Sequence, residues 1–269
     1  MRGWWQDLSD LVLPAECGGC GRPRAVLCPE CRAALTGAAP CRVRPEPEPS
    51  GLPVVHAAAP YEDAVRATLI AHKERGALAL AGPLGTALAG AVRAGGGEGP
   101  VLLVPVPSAR WAVRARGHDP ARRIALAAAG VLRRTGTPAR VVGVLRQRRA
   151  VADQSGLDFR QRLDNLAGAL EVAAGGGRLL GDGAVVLVDD LMTTGASLAE
   201  AARAVRVARD GSVAVAVSGE YGGERRTKEA VRTRGVTGRA SSDGIDNAEH
   251  GLRAAVVAAP PDSFQINRN

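Results

Sequence analysis

The residues of this chain that could do chemistry gather in two short stretches. The first is "AVVLVDDLMTTGAS", residues 184–197. Branched apolar residues run into two adjacent carboxylates, Asp189 and Asp190, and then into a turn containing Thr193, Thr194, Gly195 and Ser197. The apolar run reads as a buried strand, and in an open parallel sheet ligands sit beyond the carboxyl ends of the strands. A turn that leads straight into a helix offers backbone N–H groups and the positive end of the helix dipole to an anion. The hydroxyls add donors, and Gly195 lets the backbone approach closely. Carboxylates accept hydrogen bonds from a diol while such a turn holds a phosphate, so the pattern suits a ribose 5-phosphate.

The second stretch is "CGGCGRPRAVLCPEC", which holds Cys17, Cys20, Cys28 and Cys31. Two Cys-x-x-Cys knuckles on a short hairpin bring four thiolates together tetrahedrally, a set that suits Zn2+. Four thiolates leave no open coordination position, so the role expected of the metal is structural. Disulfides, or a redox Cys-x-x-Cys pair, are alternatives that the residues alone leave open. All five cysteines lie between residues 17 and 41, and Cys41 reads as a bystander.

Around these stretches, apolar runs alternate with helical periodicity. "LPVVHAAAPY", "PVLLVPVP", "ARVVGVLR", "GAVVLVDD" and "SVAVAVS" read as strands. Helices are expected over "EDAVRATLIAHKERG", "LALAGPLGTALAGAVRAG", "PARRIALAAAGVLRRTG" and "ASLAEAARAVRVARDG". Alternation of this kind implies βαβ units and a mostly parallel sheet flanked by helices, an α/β fold. Residues 1–39 read as an amphipathic helix followed by the four-cysteine zinc module. Residues 40–53, with five prolines, read as a stiff linker separating that module from the body. The α/β domain then spans 54–218. Residues 219–250 are polar and glycine-rich, a flexible excursion by composition, and 251–269 offer an edge strand and a tail.

The formal net charge is +8, and the basic residues are nearly all arginine. Residues 100–170 hold thirteen arginines against four aspartates, a field that favours anionic partners such as phosphorylated metabolites or nucleic acid. No apolar run is long enough to span a membrane, and Asp7 and Asp10 interrupt the opening segment where a signal peptide needs apolar residues. A cytoplasmic location is expected. His72 and Lys73, at the end of an apolar helix, read as a solvent-facing pair, with a place on the acceptor side of a site as the alternative.

The thirteen-residue run "VVLVDDLMTTGAS" resembles the phosphoribosyl-diphosphate (PRPP) motif of type I phosphoribosyltransferases. The four-cysteine module, "IAHKERG", "LVPVPSARWAVRARGHDPARRIA" and "ADQSGLDFRQRLDNLAGAL" together resemble the ComF competence family, over roughly residues 10–218. Members commonly read Arg-Gly-Phe-Asn-Gln where this chain has Arg116-Gly117-His118-Asp119-Pro120. The resemblance implies a type I phosphoribosyltransferase fold with a small N-terminal zinc-binding module, and a Mg2+-dependent transfer from PRPP to an acceptor base. It implies that Asp189 and Asp190 take the ribose hydroxyls, within a PRPP-binding run of Val188, Asp189, Asp190, Met192, Thr193, Thr194, Gly195, Ala196 and Ser197. Arg110, Arg114 and Arg116 fall where the family binds diphosphate. Gln154 and Ser155 fall on the loop that closes over PRPP, and Arg162 and Asn165 fit that loop.

The family further implies a link to DNA uptake, with single-stranded DNA or DNA-handling proteins as partners, and leaves room for a homodimer. Purine-salvage enzymes place an aspartate where this chain has Thr193, which counts against hypoxanthine or guanine as acceptor. Orotate-type transferases use Thr-Thr-Gly, so that activity stays open. So does a non-catalytic PRPP or nucleotide sensor with a zinc docking module. A plain DNA-binding zinc protein would leave the acid pair unexplained.

Overall fold

The structure, a computed structural model, describes residues 16–97, 99–149, 159–181, 183–219 and 251–267. The expected N-terminal amphipathic helix, the loop carrying Gln154 and Ser155, and all but the first residue of the 219–250 excursion lie outside them.

In chain order the elements are α1 (Pro29–Thr36), β1 (Cys41–Val43), β2 (Val55–Pro60), α2 (Asp63–Glu74), α3 (Ala81–Ala94), β3 (Val101–Pro105), α4 (Arg110–Arg116) and α5 (Pro120–Arg134). They continue with β4 (Ala139–Val141), β5 (Leu145–Gln147), α6 (Phe159–Leu166), β6 (Leu170–Val172), β7 (Ala184–Leu191), α7 (Ala196–Gly219) and β8 (Arg253–Ala259). The main sheet has the order β1-β2-β8-β7-β3-β4 and is parallel throughout except for the β1–β2 pair. β5 and β6 form a separate antiparallel ribbon.

Successive side chains of a strand point to opposite faces, and here both faces are covered. Leu103, Val186, Val188 and Val257 enter one core with Leu84, Leu88, Ile124 and Leu132 of α3 and α5. Leu102, Val104, Val185, Leu187 and Val256 enter the other, with Leu198, Ala202 and Val205 of α7. This double coverage explains why the strands read as continuous apolar runs. The fold class is therefore a mixed α/β one with a mostly parallel, helix-flanked sheet, as the alternation implies.

Five features depart from expectation. "SVAVAVS" continues α7 to Gly219 and is not a strand. Its alternating Val and Ala fit either period, and alanine favours helix wherever no strand position is available. The position beside β7 is filled by β8, which pairs with β7 on one side and β2 on the other. The 251–260 segment is thus an interior strand and not an edge. The edge on that side is β1, from the proline-rich segment read as a spacer, with Cys41 opposite Ala57 and Val43 opposite Val55. Nor does the cysteine module stand apart, because Leu27, Cys28, Cys31 and Leu35 share a core with Leu80 and Leu84. Finally, "ARVVGVLR" splits into β4, in the main sheet, and β5, in the ribbon.

Candidate functional site

β7 lies between β3 and β8, with Val188 opposite Pro105 and Asp189 opposite Val256. The carboxylates therefore stand at the carboxyl end of an interior strand, the position at which parallel sheets present ligand-binding groups. Asp190 is 5 % exposed. Its Oδ2 lies 3.0 Å from Lys73 Nζ, and its Oδ1 accepts from the same ammonium at 3.3 Å. Lys73 comes from the last turn of α2, so the ion pair ties that helix to the strand end. The charge of Asp190 raises the Lys73 pKa against the opposing effect of burial. Asp189 Oδ1 accepts the backbone N–H of Asp190 at 2.8 Å. Burial first, and then the charge of Asp190, raise the Asp189 pKa well above the usual carboxylate range. That carboxylate carries an electrostatic penalty which hydroxyl donors or a cation would relieve.

The turn after β7 leads into α7. Gly195 has φ +75°, and a Cβ on it would lie 3.1 Å from Leu52 Cδ2, so both backbone and space call for glycine. Thr193 Oγ1 accepts from Arg162 Nη1 at 3.3 Å, and Thr194 Oγ1 accepts from the Ala196 N–H at 3.5 Å. Arg162 sits on α6, which is held from two sides. Arg149 Nη2 donates to the carbonyls of Asn165 and Ala167, each at 2.9 Å, at the helix's C-terminal end. Buried Glu200 accepts the Leu170 N–H at 2.9 Å and pairs with Arg203, anchoring the following ribbon to α7.

These groups meet around one cavity of about 410 Å³. Asp189, Asp190, Thr193, Ser197, Arg116 and Arg162 line it, as do Lys73 and Trp111. Of the arginines singled out in the sequence for diphosphate, only Arg116 reaches it, where it forms a fork with Glu74 at 3.0 and 3.1 Å. Arg110 donates to the Gln147 carbonyl, and neither Arg110 nor Arg114 lines the cavity. The side chains of Val188, Met192 and Ala196 are buried in the core, so only their backbone is available to a ligand.

Lys73 and its neighbour are a correction: neither is a free surface group. His72 is fully buried, its ring 5.6 Å from that of His118. A signal for Lys73 was present in composition. Lys73 and Lys228 are the only lysines among 35 basic residues, so a lysine at a helix end is a departure from the chain's own habit. Trp111 and Glu74 gave no comparable signal.

The second site is the cysteine cluster. The ligand atoms of Cys17, Cys20, Cys28 and Cys31 all lie within 4.8 Å of one another, close enough to hold a metal ion. Tetrahedral Zn–S bonds of about 2.3 Å place sulfurs about 3.8 Å apart, and Cys20 and Cys28 Sγ are 3.6 Å apart. The first knuckle is a turn in which the Gly21 N–H donates to the Cys17 carbonyl at 2.8 Å. The second is the start of α1, with Cys28 as the cap residue and Pro29 in the first turn. Burial pushes the Cys17 thiol up, but hydrogen bonds from the backbone N–H groups of Cys20, Cys28 and Gly19 outweigh it and leave it at about 6. Cys31 is pushed up, by burial first. All five cysteines are free thiols, and Cys41, on β1, is not part of the cluster. The donor set and spacing fit zinc.

Among the described residues, no helix is long and apolar enough to cross a membrane. No protein-family model matches the chain, and no curated protein matches it in sequence.

Proposed function

We propose that the protein is a Mg2+-dependent phosphoribosyltransferase similar to the ComF family, acting in the cytoplasm, with a zinc-bound four-cysteine cluster as structural support. The observation that carries this reading is the wall of one cavity. There the acid pair at the end of β7, Thr193 and Ser197 of the turn that follows it, and two arginines from separate helices are brought together.

In this reading Asp189 and Asp190 accept hydrogen bonds from the ribose hydroxyls, and Lys73 pairs with Asp190 and orients it. The turn from Thr193 to Ser197 takes the 5-phosphate with its hydroxyls and the N–H groups that open α7. Arg116 and Arg162 supply charge-assisted donors for the diphosphate. A Mg2+ bound with PRPP would neutralise charge on the leaving diphosphate, and Asp189, whose carboxylate is only partly compensated, suits the vicinity of a cation. Transfer forms a bond from an acceptor nitrogen to the anomeric carbon while the bond to the diphosphate oxygen breaks. The electron pair leaves on the diphosphate, and the acceptor's proton passes to solvent. Holding both partners in line is the main contribution required of the protein. By resemblance, the biological setting is DNA uptake.

Calorimetric titration of PRPP with Mg2+ into the full chain, beside an Asp189→Asn/Asp190→Asn variant, tests the reading. Saturable binding is expected for the wild type and none for the variant. No binding to folded, zinc-loaded protein removes the proposal. Binding without diphosphate release across a panel of bases leaves the site a sensor.

A further inference from the structure

A second cavity, of about 510 Å³, opens beside the first and shares a wall with it: Lys73, Glu74, Trp111, Ala112 and Arg116 line both. We propose that this second cavity is a binding site for a planar heterocycle whose edge carries an adjacent N–H donor and carbonyl acceptor, stacked on Trp111. Its role as the acceptor subsite rests on the phosphoribosyltransferase reading; its binding chemistry does not.

Trp111 is 53 % exposed and stands on the wall between the two cavities. A large apolar side chain left in solvent forgoes the contacts that burial would give it. An indole on a cavity wall offers a flat π face, the surface on which a heteroaromatic ring stacks. The side chains around it are small: Ala112, Ala115 and Gly76 line the same cavity and leave a ring room to lie flat. His118, packed on His72 and with Nε2 3.2 Å from the His72 carbonyl, forms a fixed part of the lining.

The edge of the ring would be read by Glu74 and Arg116. Arg116 commits Nε and Nη2 to the Glu74 carboxylate, which leaves it further N–H donors, while Glu74 retains lone pairs. A donor and an acceptor thus sit side by side and match an N–H next to a carbonyl. An aliphatic ligand without polar groups would use neither the indole face nor the paired edge. Because Lys73 lines both cavities and pairs with Asp190, which lines only the first, a ring bound here lies next to the carboxylate cavity.

The test is saturation-transfer NMR on the full chain with uracil and xanthine as probes and caffeine, a xanthine without N–H groups, as control. PRPP calorimetry is run on the same samples. At least one of the two probes is expected to bind the wild type, and caffeine is not. Trp111→Ala should weaken that binding roughly ten- to hundredfold, Trp111→Phe should largely preserve it, and Glu74→Gln should weaken it. Absence of probe binding overturns the proposal, as does equal binding to Trp111→Ala or equal binding of caffeine. If Trp111→Ala does not fold, the caffeine comparison and Glu74→Gln decide. PRPP binding without probe binding sinks this subsite alone, whereas probe binding with this pattern but no PRPP binding keeps the subsite and removes the transferase reading.

Discussion

Cys17, Cys20, Cys28 and Cys31 come from fifteen consecutive residues and converge through one turn and one helix start. The carboxylate cavity is assembled differently: Lys73 from α2, Arg116 from α4, Arg162 from α6, and the acids and hydroxyls from β7 and the turn after it. The cysteine cluster packs into a core shared with Leu80 and Leu84, so its geometry and the stability of that face depend on each other. The cavity instead gathers like and unlike charges around space. Asp189 carries a penalty there that Lys73 offsets only in part, whereas Asp190 pairs with that lysine directly. One site should therefore stabilise the fold, and the other should cost it stability in exchange for a ligand. Substitution of Asp189 ought to differ in sign, as well as in size, from substitution of a cysteine.

The largest effect belongs to the metal. Elemental analysis of the purified protein should give about one zinc per chain, the content of a single closed four-thiolate site. Chelation, or Cys31→Ser, should lower the thermal midpoint, with a loss on the order of 4 kcal/mol. An unchanged midpoint after complete zinc removal would break the comparison at once. Next comes Gly19→Ala, because a Cβ there would lie 2.6 Å from Cys31 Sγ and 2.9 Å from its Cβ. The cluster would have to shift, at about 3 kcal/mol, with reduced zinc content as the specific readout.

How much of each site was legible follows from the same contrast. The cysteine spacing is local, so the ligand set could be read directly from Cys17 to Cys31. The acid pair and Gly195 were legible because a strand end and its turn are also local. The pairing of Lys73 with Asp190 was not, since only the packing of α2 against the sheet brings residue 73 to residue 190. The diphosphate arginines were overcounted for a related reason. Arg110, Arg114 and Arg116 share one short helix, and a helix cannot point three successive positions of this spacing into one cavity. In the fold, the parallel sheet was legible from apolar runs. The place of β8 between β2 and β7 was not, because the segment reads simply as one more strand and carries no mark of its neighbours.

Lys73→Met sharpens the comparison inside the cavity. It leaves Asp190, 5 % exposed, without its cation. The expected loss is about 2 kcal/mol, that of a hydrogen bond to a charged group. Asp190→Asn in the same background should recover part of it, measured by chemical denaturation of the single and double variants. Additive effects would mean that the pair is not coupled.

The smallest effect carries the opposite sign. The Asp189 carboxyl titrates higher in the folded chain than its usual value of 3.8, from burial and from the neighbouring Asp190 charge. The folded state therefore holds that proton more tightly than the unfolded state does. Below the usual value both states are protonated and the group costs nothing. As pH rises from there through the folded value, the unfolded chain releases the proton first, and the penalty grows until it is complete above the folded value. Asp189→Asn removes the charge while keeping the shape. At neutral pH the variant should be more stable than the wild type by about 1 kcal/mol, and the gap should close as pH falls towards the ordinary carboxylate range. PRPP binding should be lost in the same variant, because a stabilising substitution that destroys ligand binding is what a site under electrostatic strain for function gives. A variant less stable than the wild type at neutral pH would instead place Asp189 with the cysteines, among the residues that hold the fold together.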